Sequence, residues 1–367
     1  MKTWKKLKRN PEQWSQYLVR EQVLDGIREF FKQQEFMEVE TPLLLERPST
    51  ETYLEFFDTQ LQTADGQNKT GFLITSPEYA MKKLLVAGSG NIFQITKSFR
   101  NTEGLSPKHN PEFTILEWYR TPADYQDIMS DCEELLLHLI KKVAKWQSEQ
   151  TFLPANLHFE NNKTILTYQG EKYDFTPPWP RISVSEAFNR FAGITKEELC
   201  DERLLLTAAE NKGYQITKTT TWEEVYNQIF LNEIDRKIAE FSTPVILYDY
   251  PASQAALSQK KKKDPRFAER FEFFVAGIEL GNAFSELADA QEQEQRLRSD
   301  LQLRKKIGKK SYELDDDFLD ALHEGLPPTG GIAVGVDRLV MLLADTSSIH
   351  ETMFFPVADT FDLEKEG

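Results

Sequence analysis

The sequence predicts an α+β fold built around an antiparallel β-sheet. Residues 92–99 and 112–120 are rich in β-branched and aromatic side chains, and the polar stretch between them predicts a long hairpin loop. Apolar residues recur at helical spacing before and after this hairpin, over 15–34 and 123–146. The regular alternation of strands and helices that a doubly wound parallel sheet requires is missing, so paired antiparallel strands with helices around them fit better.

The first elements follow from side-chain spacing. The first helix carries one apolar stripe, formed by Leu18, Val19, Val23, Ile27, Phe30 and Phe31. A short extended segment, 36–41, stops at Pro42, because proline has no N–H to donate to a strand ladder. The second helix carries a comparable stripe, formed by Ile128, Cys132, Leu135, Leu136, Leu139 and Val143.

The remaining sequence predicts one domain with an insertion. We expect residues 1–367 to form a single domain in which 150–243 is a mostly helical insertion, beginning with a polar connection over 150–180. The elements predicted after it are strands at 244–250 and 270–288, a charged helix at 290–308, a Gly-rich run at 330–335 and a buried helix at 336–343.

Composition excludes several classes of protein. The 44 Lys and Arg against 59 Asp and Glu give a net charge of −15, which repels nucleic acid and anionic membranes over most of the surface. No window approaches the roughly 18 apolar residues of a membrane span, and the basic N-terminus lacks the apolar core of a signal peptide. Only Cys132 and Cys200 occur, and the five His include no HxxxH pair, so neither a disulfide framework nor a Cys or His metal site is expected. We therefore expect a cytoplasmic globular protein.

Two clusters offer groups for binding anions. Arg100 closes the first hairpin strand and Phe113 opens the second; an arginine offers a forked donor for phosphate oxygens, and a ring beside it can stack a base. A lone loop arginine, however, is more often a solvated charge. The glycines of 330–335 permit close backbone approach, and Arg338 near the next helix start could meet an anion. Alone, this run is a weak signal.

A third cluster contains two carboxylates, Glu279 and Glu286, in an otherwise apolar strand, where they are costly unless paired or bound to a cation. Their odd separation places them on opposite faces of a regular strand. A bend or bulge, which Gly281 makes easy, would bring them together as oxygen ligands for Mg²⁺. A cation site and a polar edge strand explain the spacing equally well.

In this order along the chain, the clusters resemble the motifs of class II aminoacyl-tRNA synthetases. Pro42 after FMEVET resembles motif 1, the segment from Phe99 to Phe113 resembles motif 2, and 331–338 resembles motif 3. The resemblance covers nearly the whole chain and implies an antiparallel synthetase catalytic core flanked by helices. The details that are similar to the lysyl-tRNA synthetase branch are SPEYAMKKLLVAG (76–88), FRNxEG…HNPEFTxLEWY (99–119) and GNAFSEL (281–287).

The resemblance implies that the carboxylate of an amino acid attacks the α-phosphate of ATP and pyrophosphate leaves. It makes Arg100 and Arg338 the catalytic residues: Arg100 on the α-phosphate, and Arg338 on the γ-phosphate and beside the adenine, opposite Phe113. Mg²⁺ would bind Glu279 and Glu286. The implied ATP-binding residues are Arg100, Asn101, Glu103, His109, Asn110, Phe113, Glu279, Leu280, Gly335 and Arg338.

The resemblance also implies an amino-acid pocket for a lysine. Glu78 would take the amino group near the substrate carboxylate and Asn282 the carboxylate itself, while Glu117 and Tyr119 would receive the ε-ammonium. A buried cation needs a paired anion, so two separated carboxylates suit the two ammonium groups. The implied substrate-binding residues are Ser76, Pro77, Glu78, Glu117, Tyr119, Asn282, Glu286 and Ala333.

Within this branch the chain resembles the truncated paralogue that attaches (R)-β-lysine to a lysine of translation elongation factor P. Only 41 residues precede Pro42, too few for the five-stranded anticodon-reading barrel of lysyl-tRNA synthetases, so no N-terminal OB-fold is expected. The YPASQ segment (250–254) and Ala333 are similar to the paralogue. Gly281 and Ser285 resemble the synthetases instead, so α-lysine and (R)-β-lysine both stand as substrates.

Two other functions compete with this one. A minimal lysine-activating synthetase would still charge tRNA, and the basic run Lys260–Lys263 is its sole candidate for an RNA groove. A non-catalytic paralogue would only bind ATP, lysine or a translation factor, but it would have no reason to keep buried charges. We expect that the chain does not bind tRNA productively. We also expect a homodimer formed through motif 1, with an interface that contains Val23, Ile27, Phe30 and Phe36.

Overall fold

The structure is a computed structural model that describes residues 2–102, 104–150, 156–160 and 162–361. Its strands, numbered along the chain, are β1 (Met37–Glu38), β2 (Leu44–Leu45), β3 (Asp58–Gln62), β4 (Asn68–Leu73), β5 (Ile92–Phe99), β6 (Glu112–Arg120), β7 (Leu157–Glu160), β8 (Lys163–Tyr168), β9 (Glu171–Asp174), β10 (Arg181–Ser183), β11 (Val245–Pro251), β12 (Phe267–Val275), β13 (Ile278–Ser285) and β14 (Gly330–Gly335).

Eight of these strands form the main sheet, in the order β1-β5-β6-β14-β13-β12-β11-β10. The two edge pairs, β1–β5 and β10–β11, are parallel, and the pairs between them are antiparallel. The predicted hairpin is β5–β6, in which Ile92 lies opposite Tyr119 and Phe99 opposite Glu112. The α+β architecture with an antiparallel sheet is confirmed.

The α-helices surround this sheet. Both long helices predicted from the apolar stripes are present, within one or two residues of the expected bounds. No helix in the described ranges is long and apolar enough to cross a bilayer. The helices are α1 (Thr3–Arg9), α2 (Trp14–Gln33), α3 (Glu78–Val86), α4 (Tyr125–Ser148), α5 (Val184–Ala187), α6 (Lys196–Cys200), α7 (Glu202–Asn211), α8 (Trp222–Ile229), α9 (Asp235–Ile238), α10 (Ala290–Lys306), α11 (Asp316–Gly325), α12 (Val336–Leu343) and α13 (Val357–Thr360).

The two faces of the sheet differ in what covers them. Leu116 and Trp118 of β6 belong to the buried cluster that α2, α4 and α12 form on one face. Alternate residues of a strand project to opposite faces, so Glu117 and Tyr119 project to the other one. There Tyr119 joins a separate cluster with residues of α3, α10 and α11. The first face is therefore the main core, and the second face is available for chemistry.

Aromatic rings close the core between α2 and the sheet. Phe31 is fully buried, and its ring centroid lies 4.8 Å from that of Phe93 and 5.1 Å from that of Trp118. The chain turns directly afterwards, and Phe36 packs against the same ring at 5.1 Å. This packing holds the turn between the end of α2 at Gln33 and the start of β1 at Met37 against the core.

The expected interface residues lie inside the chain instead. Val23 and Ile27 are completely buried, and Phe30 and Phe36 are almost so, in the cluster between α2, α4 and the sheet. The expectation that these four residues form a dimer interface is wrong, because α2 turns its apolar face toward its own sheet.

The insertion begins with strands rather than with a bare connection. Residues 157–160, 163–168 and 171–174 form the small sheet β7-β8-β9, in which Thr164, Leu166 and Tyr168 alternate as buried residues of β8. The polar composition concealed this two-residue period. The helices α5–α9 then follow, as expected for the later part, and bury a cluster of their own. The treatment of 150–243 as one insertion stays a prediction.

We predict that Phe31→Ala lowers the free energy of unfolding by about 3–5 kcal/mol, since a large buried ring is removed and its contacts with Phe93 and Trp118 are lost. Chemical denaturation of both proteins measures this difference. Phe159→Ala is the control: its side chain is 55% exposed in an edge strand, so we expect a change within roughly 0.5 kcal/mol. Equal effects of the two substitutions would contradict the assignment of the core.

Candidate active site

Three adjacent strands build the second face of the sheet. Ala333 of β14 lies between Glu117 of β6 and Asn282 of β13, and Gly331 lies opposite Tyr119. Directly opposed residues of antiparallel strands project to the same face. The pairing therefore places a carboxylate, a methyl group and an amide side by side, at the position where the resemblance implied an amino-acid pocket.

A bulge in β13 changes the direction of Glu279. Phe273 lies opposite Gly281, whereas the next residue of β12, Phe274, lies opposite Glu279, so Leu280 is an extra residue. An extra residue reverses the alternation of side chains along a strand. Glu279 therefore projects to the pocket face, and the bend that the odd spacing required is present next to Gly281.

The carboxylate of Glu117 is the most deeply buried acid of the pocket. Its Oε1 accepts a hydrogen bond from Ser76 Oγ at 2.5 Å, and its Oε2 accepts one from Tyr119 Oη at 3.0 Å. Burial, reinforced by the charge of Glu78, raises the pKa of Glu117 to about 8. This group therefore holds a proton at neutral pH, and a bound cation would displace it.

Lys82 joins two further carboxylates. Helix α3 begins at Glu78, directly after Pro77. One turn later, Lys82 Nζ lies 2.6 Å from Glu78 Oε1 and 2.5 Å from Glu286 Oε2, and 2% of its side chain is exposed. Sequence reasoning missed Lys82, although its spacing from Glu78 is that of an ion pair on one helix face.

Gly331 leaves the space in which these groups meet. A methyl group at this position would lie 2.3 Å from Glu286 Oε1 and 2.4 Å from Tyr119 Cε1. Both distances are far inside van der Waals contact, and both neighbours are held by buried partners. Only glycine fits this position.

Arg338 and His109 form the other end of the site. Arg338 donates to the backbone oxygen of Glu279 at 2.8 Å and to His109 Nε2 at 2.9 Å. Since a guanidinium can only donate, Nε2 accepts, and a neutral His109 carries its proton on Nδ1. That proton points to Ser106 Oγ, 2.8 Å away. The motif 2 loop and motif 3 are thus joined through side chains.

Arg100 stands beside this end. Its guanidinium lies 5.1 Å from the centre of the Phe113 ring, as expected for a charge next to a base-stacking ring. Its charge also acts on Glu51: burial raises the pKa of that carboxyl, and Arg100 opposes the rise. Glu51 accepts from the Thr75 hydroxyl at 3.2 Å. The sequence analysis did not single out Glu51.

Three other residues that the resemblance implied as ATP-binding lie in or near the motif 2 loop: Asn110, Asn101 and Glu103. Asn110 is 2% exposed; its Nδ2 donates to Glu112 O at 2.6 Å, and its Oδ1 accepts from Val357 N at 3.1 Å. These bonds give Asn110 a role in fixing the loop to the C-terminal segment. Asn101 is exposed, and Glu103 lies outside the described residues.

Three residues of β13 face the core and not the pocket. Leu280 is buried there. A methyl group on Gly281 would lie 2.6 Å from Phe273 Cε1. Ser285 accepts a hydrogen bond from Tyr125 N, at the start of α4, at 3.0 Å. The bulge thus turns the side chain of Leu280 inward, and a contact of this residue with ATP stays a prediction. Gly281 and Ser285 do not line the amino-acid pocket.

The pairing of Glu279 with Glu286 around one metal ion does not fit the geometry. Seven residues of extended chain separate their backbones by about 20 Å, and Glu286 is ion-paired with Lys82. Glu272 is a better neighbour, although it is itself ion-paired with Arg270 at 2.6 Å. It lies opposite Asn282, on the face to which Glu279 projects, and only two residues along β12 from the partner of Glu279. Burial, with the charge of Glu272, raises the pKa of Glu279 to about 7, so a cation there would relieve repulsion.

The described residues contain no group of three or more His, Cys, Asp or Glu side chains arranged for a metal ion. A Mg²⁺ on Glu272 and Glu279 would therefore need phosphate oxygens to complete its shell, as this ion commonly does. Gly335, directly before α12, lies near Arg338: a methyl group there would be 3.7 Å from Arg338 Cδ.

The basic run is partly neutralised. Lys260 lies 2.9 Å from Glu292, and Lys261 is ion-paired with Asp249. These two lysines do not offer uncompensated charge to a nucleic acid.

An antiparallel sheet with acids at one end of a pocket and arginines at the other is the arrangement of a class II synthetase core. The family model of the class II tRNA synthetases (D, K and N) matches residues 2–359, and the chain belongs to this family. No five-stranded OB-fold barrel is among the elements of the residues that the structure describes.

Similar proteins narrow the family further. The chain is 36% identical to the lysine–tRNA ligase of Clostridium perfringens over 350 residues, which cover 95% of this chain and 65% of that ligase. It is 35% identical over 340 residues to the lysine–tRNA ligase of Chloroflexus aurantiacus, which cover 93% of this chain and 64% of that ligase. It is 34% identical over 359 residues to the lysine–tRNA ligase of Magnetococcus marinus, and the match covers 96% of this chain and 64% of that ligase. The chain thus spans just under two thirds of the length of these relatives.

We predict that Gly331→Ala weakens the amino-acid activation proposed below by roughly 100-fold or more, because displacing Tyr119 and Glu286 by about an ångström disturbs the whole pocket. Steady-state exchange of pyrophosphate into ATP measures the effect. Gly71→Ala is the matched control: its methyl group would meet Leu44 Cδ1 at 2.8 Å, but that side chain is 41% exposed and can move. Normal activity of Gly331→Ala would show that the pocket lies elsewhere.

Proposed function

We propose that the chain uses ATP to convert a lysine-type amino acid into an aminoacyl-adenylate. The observation that carries this proposal is the polarity of the second face of the main sheet. Carboxylates gather at one end around Glu117, arginines gather at the other around Arg338, and Ala333 and Asn282 lie between them. A substrate with ammonium groups at one end and a carboxylate that must meet a phosphate at the other matches this order.

At the amino-acid end, Glu117 and the hydroxyl of Tyr119 receive the ε-ammonium, while Glu78 receives the amino group nearer the carboxylate. Ser76 supports both acids: it donates to Glu117 and accepts from the backbone N–H of Glu78 at 3.1 Å. Asn282 faces the substrate carboxylate. A desolvated ammonium pairs well only with a preorganised anion, and these hydrogen bonds supply that preorganisation.

At the nucleotide end, Arg100 holds the α-phosphate and neutralises charge that develops there during attack. Arg338, held in place by His109, binds the γ-phosphate, and its guanidinium flanks the adenine opposite Phe113. Fixed positive charges aimed at developing negative charge usually supply the largest part of such rate enhancements. Mg²⁺ would bind Glu279 with Glu272 and screen the charge of the phosphates.

For the acceptor, we propose a lysine side chain of translation elongation factor P. Its amine would attack the adenylate carbonyl, form an amide and release AMP, so no nucleophile from the enzyme is required. The similarity of Ala333 and the 250–254 segment to the paralogue supports this acceptor. The names of the similar proteins support tRNA as the alternative, and paired Lys260 and Lys261 speak against the RNA groove that it would need.

Pyrophosphate exchange with a panel of amino acids tests the proposal. We expect exchange with (R)-β-lysine or α-lysine, little with arginine, and none in an Arg100→Ala variant. Labelled amino acid is then offered to elongation factor P and to tRNA in parallel. Label on the protein supports the proposed acceptor, label on tRNA supports the minimal synthetase, and no exchange with any amino acid would leave the non-catalytic paralogue.

We further propose a homodimer formed at the β1 edge of the main sheet. The residues that suit such an interface are Met37, Leu43 and Leu44, which are apolar and 37–49% exposed beside this edge. Light scattering at micromolar concentration should give twice the chain mass of 42.6 kDa. A species of single mass would refute the dimer.

We predict that Ala333→Gly raises activity with α-lysine relative to (R)-β-lysine. The two isomers differ in where the amino group sits relative to the carboxylate, and the Ala333 methyl lies between Glu117 and Asn282. One methyl group in a packed pocket shifts discrimination by about 1–3 kcal/mol. Exchange with each isomer, for both proteins, measures the ratio. An unchanged ratio would remove Ala333 from the basis of selectivity.

We also predict that the apparent affinity for the amino acid rises with pH between 6 and 8. Glu117 must lose its proton before it can pair with an ammonium, and burial raises its pKa to about 8. Below that value, each pH unit weakens binding by up to about tenfold. The KM of the amino acid across this range is the measurement. A Glu117→Gln variant should bind weakly with a flatter profile, and a pH-independent wild-type KM would contradict the assignment.

A further inference from the structure

Lys82 has no place in the reaction described above, yet it is among the most buried charged residues of the chain. Its ammonium is ion-paired with Glu78 and Glu286, at 2.6 and 2.5 Å, at the amino-acid end of the pocket. Burial alone would lower the pKa of Lys82, but the two ion pairs raise it above its usual value. It therefore keeps its proton and acts as a fixed cation and not as a base.

We infer that Lys82 is a positioning residue that holds Glu78 for the substrate amino group nearest the carboxylate and thereby makes the pocket selective for diamino acids. This inference rests on the proposed function, because it assigns Glu78 to that amino group. Lys82 is the group that determines whether Glu78 can perform this role.

Charge supports the inference. Three carboxylates face the ammonium end, those of Glu78, Glu117 and Glu286. The charges of Glu78 and Glu286 add to the rise in the pKa of Glu117, and that of Glu78 adds to the rise in the pKa of Glu286. Lys82 neutralises one of these charges permanently. Two negative charges are left, which match the two ammonium groups of lysine or β-lysine.

Geometry supports it as well. Glu286 is 1% exposed at its side chain and cannot leave the pocket, whereas Glu78 is 18% exposed, in the first turn of α3, and could turn toward solvent. Lys82 ties the mobile acid to the fixed one. Without this bridge, repulsion from Glu117 and Glu286 would favour the solvent-directed rotamer of Glu78.

The test compares two ligands that differ only in the amino group in question. Removal of the α-amino group from lysine, or of the β-amino group from β-lysine, gives the same compound, 6-aminohexanoate. Calorimetry measures the dissociation constant of the diamino acid and of 6-aminohexanoate for wild type, Lys82→Met and Lys82→Arg. A purely structural defect would weaken both ligands alike, so the ratio of the two constants isolates the positioning role.

We expect Lys82→Met to reduce the preference for the diamino acid by roughly tenfold or more, the loss typical of a charged hydrogen-bonding group that no longer meets its partner. Lys82→Arg keeps the charge and should retain most of the preference. Lys83→Met is the matched control, since this neighbour on α3 is paired with Asp315 and Asp317 at the surface. We expect the control to match wild type.

A buried acid left without its partner can unfold a protein, so a second pair of variants keeps the test decisive. Glu286→Gln and the double variant Lys82→Met with Glu286→Gln differ only at Lys82, and neither leaves an unpaired charge at position 286. The preference should fall from the first to the second.

An unchanged preference in Lys82→Met, or in the double variant, would overturn the positioning role while the proposed function stands. Failure of the wild-type protein to bind any diamino acid would overturn both. Thermal unfolding of each variant confirms that the folded protein is being compared.

Discussion

The pairing of β6, β14 and β13 is the constraint on which the rest of the structure depends. A shift of this register by one residue would turn Glu117, Ala333 and Asn282 toward the core and leave Leu116 and Ile332 in the pocket. The main core and the pocket therefore specify the same register from opposite faces. The aromatic packing around Phe31 and Trp118 stabilises the sheet, and by the same contacts it holds the pocket residues in place.

Burying acids on the second face requires compensation, and the chain supplies it in different ways at the two ends. At the amino-acid end, Lys82 is ion-paired with two carboxylates, and burial raises the pKa of Glu117, so that it holds a proton at neutral pH. At the nucleotide end, Arg338 is bonded to backbone and to His109. The amino-acid end thus favours cations and the nucleotide end favours anions. Electrostatics therefore determines the direction in which a substrate binds, independently of any specific contact.

Sequence reasoning succeeded where a local pattern determines structure and failed where distant residues decide it. The β5–β6 hairpin and the helices α2 and α4 follow from side-chain periodicity, and the bend near Gly281 follows from the odd spacing of two acids. The small sheet after residue 156 was missed because polar residues masked its alternation. The prediction that Glu286 and Glu279 share one metal ion came from spacing, which indicates the face that a residue occupies but not how far apart two residues of a strand lie. The ion pair of Glu286 with Lys82 became visible only in the fold.

The two ends of the pocket also differ in how they are built, and this difference bears on specificity. The amino-acid end is formed by adjacent strands and the first turn of α3. Backbone pairing between the strands fixes the position of the side chains there. The nucleotide end depends on a long loop that is held by Arg338, by the bond of His350 Nε2 to His109 O at 3.1 Å, and by Asn110 to the C-terminal segment. A rigid amino-acid end suits discrimination between isomers that differ by the position of one amino group. A nucleotide end assembled from separate segments suits a ligand that supplies many charged contacts of its own, because those contacts can complete the order of the loop.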